Sequence, residues 1–556
     1  GDKGGLQCFF FFYGVHFTKH EQSPFPELPE DWNSPGAPDI YESPDGRYYM
    51  TFDNRIVKGK PLPALRDKTL VAWVTLADLD QRGGGVVTVE HEGEFDSLVF
   101  GERVPRRWMA GSDRFRRTAR DQSGRPEETA SPGELVQMAA VYRGNRVTLY
   151  RNGRLYARHE VNEPAVFSRY AISLGARLSD GPENAYFRGS IEDARVYASA
   201  LSRERIAALK PNEPSAETPL AWWDFEEDNP VDRMGTFPSS FLEGDARVAD
   251  GRLHLPGHES FLLASHEGRE LCGLVSDDLM NWTPLEEPVA VLPSRFRLTC
   301  SQIFRWGEWH YMLAGRRVWQ SRAFDGPWKP ARTFILDTLH YPKVAPFRDG
   351  RMIAAAFLWN RGWGGDAVFR ELLQEADGNL GSRFVPEMIP RTGANVPLKT
   401  ERDSAAAISG DTVAVNGSNG FHAVAFDDIP RDVRITFRAE ADGDATGLGI
   451  GLRATPERTR GLELRADPAR DSVGLFEVNG DRETATAGEY MRHRLQKLET
   501  PLKVDIVCRR DIVDVEINGR RTLIERYWNP GGDQMYLFAE GGTVRFEDVR
   551  IRRLME

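Results

Sequence analysis

Short runs of β-branched and aromatic residues, cut by Gly, Pro, Asn and Asp, recur along almost the whole chain. This punctuation constrains the fold more than any other feature. Tyr48-Tyr49-Met50-Thr51-Phe52, Thr69-Leu70-Val71-Ala72-Trp73-Val74 and Val86-Val87-Thr88-Val89 have strand length and strand composition, with turn residues between them. Val147 to Tyr156 reads as two strands joined at Asn152-Gly153, a dipeptide suited to tight hairpin turns. With 52 Gly and 34 Pro spread along the chain, long helices have little room. Many short strands at such spacing predict sandwiches and propellers, and hence an all-β fold class.

At roughly 100–200 residues per domain, the 556 residues predict three or four domains. Pro24, Pro26, Pro29, Pro35 and Pro38 exclude a helix from residues 1–40, which read as an irregular segment. Residues 41–210 carry the first set of strands. They end in Phe187 to Tyr197 and a short helix from Ser202 to Leu209, with Ser202 as its N-cap. Lys210 to Pro219 is a proline-containing, semi-rigid linker. Residues 220–390 hold a second set of strands, and residues 391–556 a third. In that third set Val433-Arg434-Ile435-Thr436-Phe437-Arg438 alternates its faces, and Asn518-Gly519 marks another hairpin.

The net charge of -11 is well mixed and no long basic run occurs, which argues against a nucleic-acid partner. No run of about 20 apolar residues exists, so membrane insertion is not expected. Cys8 to Tyr13 is too short to span and reads as a buried strand. Cys8, Cys272, Cys300 and Cys508 lie far apart with no CxxC spacing, which disfavours zinc and leaves one or two disulfides open. The first residue is Gly rather than Met, as expected of a processed chain, and the setting expected is secreted or periplasmic.

Three motifs in order carry a resemblance. Lys68-Thr69-Leu70-Val71-Ala72-Trp73-Val74, then Tyr150-Arg151-Asn152-Gly153-Arg154, then the F-x-G-x-I-x-D-x-R-V-Y strand Phe187–Tyr197 with its following helix, are similar to laminin-G/concanavalin-like jelly rolls. The resemblance covers roughly residues 41–210. It implies a two-sheet sandwich and contact with glycans, and it leaves room for a structural calcium; no other cofactor or metal is expected.

A second resemblance runs through residues 260–390. Ser276-Asp277-Asp278-Leu279-Met280-Asn281-Trp282, Thr299-Cys300-Ser301-Gln302-Ile303-Phe304, Tyr341-Pro342-Lys343-Val344-Ala345-Pro346-Phe347 and Asp349-Gly350-Arg351 with its strand to Trp359 resemble, in order, later blades of the five-bladed propeller of glycoside hydrolase family 32. Residues 391–556 resemble that family's C-terminal β-sandwich. The resemblance implies action on fructans or sucrose through two carboxyls, a nucleophile and a general acid. This chain departs from the family at those carboxyls. Thr299-Cys300-Ser301 stands where the family has E-C-P, Trp32-Asn33-Ser34-Pro35-Gly36 has Ser34 where the nucleophile would be, and R-D-P is missing. Five blades also need roughly 250–300 residues, more than 220–390 offers. Either residues 1–40 supply a blade, or the propeller is incomplete, or part of the natural sequence is missing from this chain.

The remaining candidate catalytic carboxylates are Asp39 and Asp224, each beside apolar or aromatic strand residues; the plainer reading is a turn or capping role. Candidate substrate contacts are His340, Tyr341, Trp359 and Trp363, because aromatic faces next to polar donors suit sugar rings. Trp222 and Trp223 read as core. Three functions follow: a glycosidase of the family 32 kind, a non-catalytic carbohydrate-binding or scaffold protein that has lost the acids, or a different glycosidase on a related propeller with its carboxylates placed elsewhere. In each case an oligo- or polysaccharide is the expected partner.

Overall fold

The computed structural model describes residues 39–555, apart from 180–182, 227–229, 258–259, 294–300, 315–316, 327, 332–338, 361–364, 399–405, 443, 469–471, 481–487, 495–497, 499 and 529–530. The chain divides into two compact units, residues 1–300 with 323–330, and residues 301–322 with 331–556. Cys8 to Tyr13, Trp32 to Gly36, Thr299, Cys300 and Trp363 lie outside the described residues.

In the first unit, two antiparallel sheets enclose one core. One has the order Ser239–Glu243, Phe261–Ser265, Ala171–Leu174, Gly84–His91, Glu94–Phe100 and Trp108–Ser112. The other runs Arg247–Ala249, Arg252–Pro256, Arg188–Tyr197, Lys68–Leu76, Val136–Arg143, Arg146–Arg151 and Arg154–Glu160, with Ala221–Trp223 paired to Arg188–Tyr197. The central strand Lys68–Leu76 is buried on both faces. Leu70, Ala72, Val74 and Leu76 fill the space between the sheets, while Val71 and Trp73 pack outward on Leu201 and Ile206. That outward cover is the short helix Arg203–Ala208, whose Arg205 N–H donates to the Ser202 hydroxyl at 3.3 Å. Asn152 and Gly153 both take left-handed φ, as the hairpin between Arg146–Arg151 and Arg154–Glu160 requires.

The Lys210–Pro219 linker does not end the sandwich. The strands after it, from Ala221–Trp223 to Phe261–Ser265, hydrogen-bond into both of its sheets. The sandwich is itself an insertion. Tyr48–Lys58 pairs antiparallel with Glu267–Ser276, Lys58 lying opposite Glu267, and the Gly59 N–H donates to the His266 carbonyl at 2.9 Å. A whole domain therefore fills the loop of one hairpin, whose two strands also pair with Asp39–Glu42, Thr283–Pro284 and Ala290–Pro293. Closely spaced domain ends make such insertions compatible with both folds. Gly59 sits at the joint, where a Cβ would lie 1.9 Å from the Thr236 carbonyl oxygen.

The Ser276 to Trp282 run closes that hairpin sheet. The Asp278 carboxylate accepts from the Met280 N–H at 2.8 Å, the Asn281 N–H at 2.7 Å and the Asn281 side chain at 2.7 Å. The Trp282 indole donates to the Leu279 carbonyl at 3.1 Å. The motif is thus a carboxylate-nucleated turn that sets a Trp into the cluster of Met50, Cys272 and Leu274.

In the second unit, Gln302–Trp306, Trp309–Ala314 and Arg317–Ser321 form one antiparallel meander, and His340–Pro346, Met352–Trp359, Gly365–Gln374 and Leu380–Arg383 form another. Their first strands adjoin. The Gln302 amide donates to the Val344 carbonyl at 2.9 Å and accepts from the Val344 N–H at 2.6 Å. With the hairpin sheet of the first unit, the described residues hold three blade-like sheets. Residues 39–58 form a blade-like hairpin whose partner strand begins at Glu267, beyond the inserted sandwich, and residues 1–38 of the expected N-terminal segment lie outside the described residues.

A second sandwich follows. Thr392–Asn395, Ala406–Ser409, Thr412–Asn416, Thr543–Leu554, Val433–Ala441, Leu502–Arg509, Ile512–Ile517 and Arg521–Arg526 make one sheet. His422–Phe426, Gln534–Glu540, Gly447–Ala454, Arg460–Asp467, Ser472–Asn479 and Gly488–Arg494 make the other. Val433, Ile435, Phe437 and Ala439 point into its core, as the alternation of that run predicts.

Candidate functional site

Met352–Trp359 is a strand whose two faces differ. Ala354 and Leu358 enter the core, while Phe357 and Trp359, two residues apart, share the other face. Its neighbour His340–Pro346 pairs with it through a β-bulge. His340 lies opposite Phe357 and Lys343 opposite Ala355, so Tyr341 and Pro342 together face one residue. Tyr341 takes φ 51°, a left-handed conformation that costs a bulky residue energy and concentrates at binding sites.

The bulge turns four rings together. His340 stacks on Phe357 with ring centres 5.8 Å apart and an angle of 21°, and its centre lies 5.0 Å from that of Trp359. Tyr341 is 6.2 Å from His340 and 5.9 Å from Phe357; Phe357 is 6.4 Å from Trp359. Trp359 keeps 39% of its surface exposed. Three of the four predicted contacts, His340, Tyr341 and Trp359, therefore meet at one place.

Arg526, from the C-terminal sandwich, underpins this platform. It is 4% exposed and donates from Nε to the Trp359 carbonyl at 2.9 Å. One Nη donates to Asp511 at 2.8 Å and the other to Asp366. Burial opposes its charge, yet the Asp511 and Asp366 carboxylates hold its pKa above the usual arginine value. Its guanidinium carbon also lies 5.3 Å from the centre of the Trp528 ring, itself 40% exposed. Ser301, from the run in the E-C-P position, is buried, and its carbonyl accepts from Lys343 Nζ at 3.2 Å.

The two predicted carboxylates lie elsewhere, in the first unit. Asp39 begins the strand Asp39–Glu42, with its backbone opposite Thr51. Asp224 is buried just beyond Ala221–Trp223 and is ion-paired with Arg233. Arg233 caps a stack of alternating cations and indoles. Its guanidinium carbon is 5.0 Å from the Trp222 ring centre, and Arg195 lies 4.6 Å from Trp222 and 5.2 Å from Trp73. Asp193 closes the stack, accepting from Arg195 at 2.9 and 2.7 Å and from the Trp222 indole at 2.9 Å. Trp223 is fully buried in the sandwich core.

Residues 49–207 match the family described as Laminin_G_3, concanavalin A-like lectin/glucanases superfamily. The inserted sandwich is a concanavalin-like laminin-G domain. The family match stops at residue 207, and the strands of residues 221–265 complete both sheets of the laminin-G domain beyond it. No curated protein matches the chain. Among solved structures, an exo-inulinase from Aspergillus awamori is 12% identical with a TM-score of 0.36, covering 87% of this chain and 98% of its own. A glycoside hydrolase family 32 structure from Bifidobacterium adolescentis is 11% identical with a TM-score of 0.35, covering 90% and 99%. A carbohydrate-binding module from Bacillus subtilis is 11% identical with a TM-score of 0.23, covering 29% and 94%.

Among the described residues no three His, Cys, Asp or Glu side chains are grouped to hold a metal ion, in the laminin-G domain or elsewhere. Among the same residues no helix is long and apolar enough to cross a membrane. Cys272 and Cys508 are buried in different units, and burial pushes the Cys508 thiol up to about 11.

Sequence reasoning missed Phe357 and Arg526. Phe357 carried a signal, since it stands two residues before Trp359 in a strand and so shares its face. Arg526 carried none, because it reaches the platform from a strand far along the chain.

Proposed function

We propose that the protein is carbohydrate-active and holds an oligo- or polysaccharide against His340, Tyr341, Phe357 and Trp359. The observation that carries this reading is the exposed Trp359 ring, held beside the His340 imidazole by a strained bulge at Tyr341. Sugar rings pack their C–H faces on aromatic side chains while their hydroxyls find neighbouring donors and acceptors.

The geometry favours recognition without cleavage. Glycosidic cleavage by the usual route needs a pair of carboxyls across the bond, one of them kept protonated. Among the described residues, Asp366 and Asp511, which Arg526 links to this platform, are both engaged by that arginine. Asp224 is engaged by Arg233. Hydrolysis of the family 32 kind is the second reading, supported by the order of blade-like motifs that ends in the Met352–Trp359 strand. The same function sets the protein where polysaccharides are met, secreted or periplasmic, which fractionation of the source cells checks.

The test is a panel of glycans and fructans assayed together for binding and for released sugar. Binding that weakens about tenfold in Trp359→Ala, with no sugar released by the parent protein, is the expected result. Released sugar would overturn the non-catalytic form, and a panel without any bound glycan would overturn the carbohydrate reading.

A further inference from the structure

A cavity of about 390 Å³ opens within the second unit, between the Gly365–Gln374 strand and the hairpin of Leu502–Arg509 and Ile512–Ile517. Its size falls in the range of small-molecule sites. Phe369, Phe384, Met388 and Ile389 supply apolar wall.

The charges on that wall are unequal in their commitments. Arg370 grips Asp514 through both Nη atoms, at 2.6 and 3.1 Å, and donates from Nε to the Thr522 hydroxyl at 3.1 Å. Asp366 is ion-paired with Arg526. Both lining carboxylates are thereby neutralised within the protein. Arg509 and Arg510 also line the cavity, both are exposed, and among the described residues neither guanidinium makes an ion pair or hydrogen bond. Arg510 takes φ 54° at the hairpin tip, where its backbone N–H donates to Asp432 at 2.6 Å. Two adjacent uncommitted guanidiniums at the mouth of an apolar-walled cavity, in a chain of net charge -11, make a local anion trap.

We propose that this cavity binds a sugar acid, a ring of monosaccharide size bearing a carboxylate. Arg509 and Arg510 take the carboxylate, and the ring packs against Phe369, Phe384 and Met388. The sugar part of the proposal rests on the carbohydrate reading above; the anion part stands on the two arginines alone. The Trp359 ring is not part of the cavity wall, although Asp366, which lines it, is paired with the Arg526 that supports the platform.

Calorimetric titration of the full chain with glucuronate, glucose and cyclohexanecarboxylate tests it. Glucuronate is expected to bind at least about tenfold more tightly than glucose, as a charge-assisted contact to Arg provides. The Arg509→Gln/Arg510→Gln double variant is expected to reduce glucuronate to the level of glucose, and Trp359→Ala to leave it unchanged. Equal binding of glucuronate and glucose, or glucuronate binding lost in Trp359→Ala and kept in the double variant, would overturn the site. Cyclohexanecarboxylate binding more tightly than glucuronate would overturn the sugar class while leaving the platform at Trp359 untouched. Should the double variant fold poorly, salt decides on the parent protein: glucuronate affinity that does not fall between about 0.05 and about 0.5 M salt overturns the anion contact.

Discussion

The laminin-G domain and the second unit each build an assembly of Trp, Arg and Asp, and they use it in opposite ways. In the first, Trp73, Arg195, Trp222 and Asp193 are all buried, with Arg195 between the two indoles and bidentate to Asp193. In the second, Arg526 is equally buried and equally paired, but the indoles beside it, Trp359 and Trp528, stay 39% and 40% exposed. The same chemistry is internal bracing in one place and a support for a presented surface in the other. Residue type therefore does not tell bracing aromatics from presented ones here; exposure does.

That contrast can be broken most forcefully at Asp193. Asp193→Ala leaves Arg195 buried without its partner, and a loss of about 3–5 kcal/mol in the stability of the first unit is expected. Calorimetry that shows an unchanged unfolding transition would mean the stack is not bracing. Next in size is Gly59→Ala at the joint of the inserted domain. Overpacking against the Thr236 carbonyl is expected to cost about 1–3 kcal/mol. Denaturant unfolding would show whether the hairpin and the laminin-G domain then lose cooperativity together. Trp359→Ala sharpens the other side of the contrast. It is expected to weaken glycan binding about tenfold, ~1.4 kcal/mol, with a smaller change in stability because the ring is part-exposed. A stability loss like that of Asp193→Ala would instead make Trp359 a core residue.

The smallest effect is electrostatic. Backbone and side-chain hydrogen bonds from Asn281 hold the Asp278 carboxyl down at about 2, against an ordinary 3.8. A depressed carboxylate contributes stability that is present above the ordinary value and lost as pH falls through the folded one. The Ser276 to Trp282 turn is therefore expected to loosen only between about pH 4 and about pH 2. Trp282 emission should follow that window in the parent protein and lose it in Asp278→Asn.

Much of the local structure was legible in the chain. The Asn152-Gly153 turn, the Ser202 cap and the alternation of Val433 to Ala439 all appear as read, because turn chemistry and side-chain periodicity act within a few residues. The site was legible in part. His340, Tyr341 and Trp359 meet, but Phe357 was passed over, and Arg526 could not be found from local pattern. The boundary at Lys210–Pro219 misled for a related reason. A proline-bearing loop looks the same whether it ends a domain or, as here, merely crosses its surface before Ala221–Trp223 rejoins the sheet.

By itself the sequence determined that this chain would be strands, where many of them turn, and that the first large sandwich would be of the laminin-G type. The strands and turns are consequences of short-range sterics and of which face of a strand is apolar, whereas the laminin-G type rests on the resemblance of its motifs to that family. Only the tertiary structure decided that this sandwich is inserted between Lys58 and Glu267, that Asp224 is tied to Arg233, and that Trp359 faces outward while Trp223 is buried. Strand pairing and burial are set by partners far away in the chain, and the same strand-forming sequence fits many partners until packing selects one.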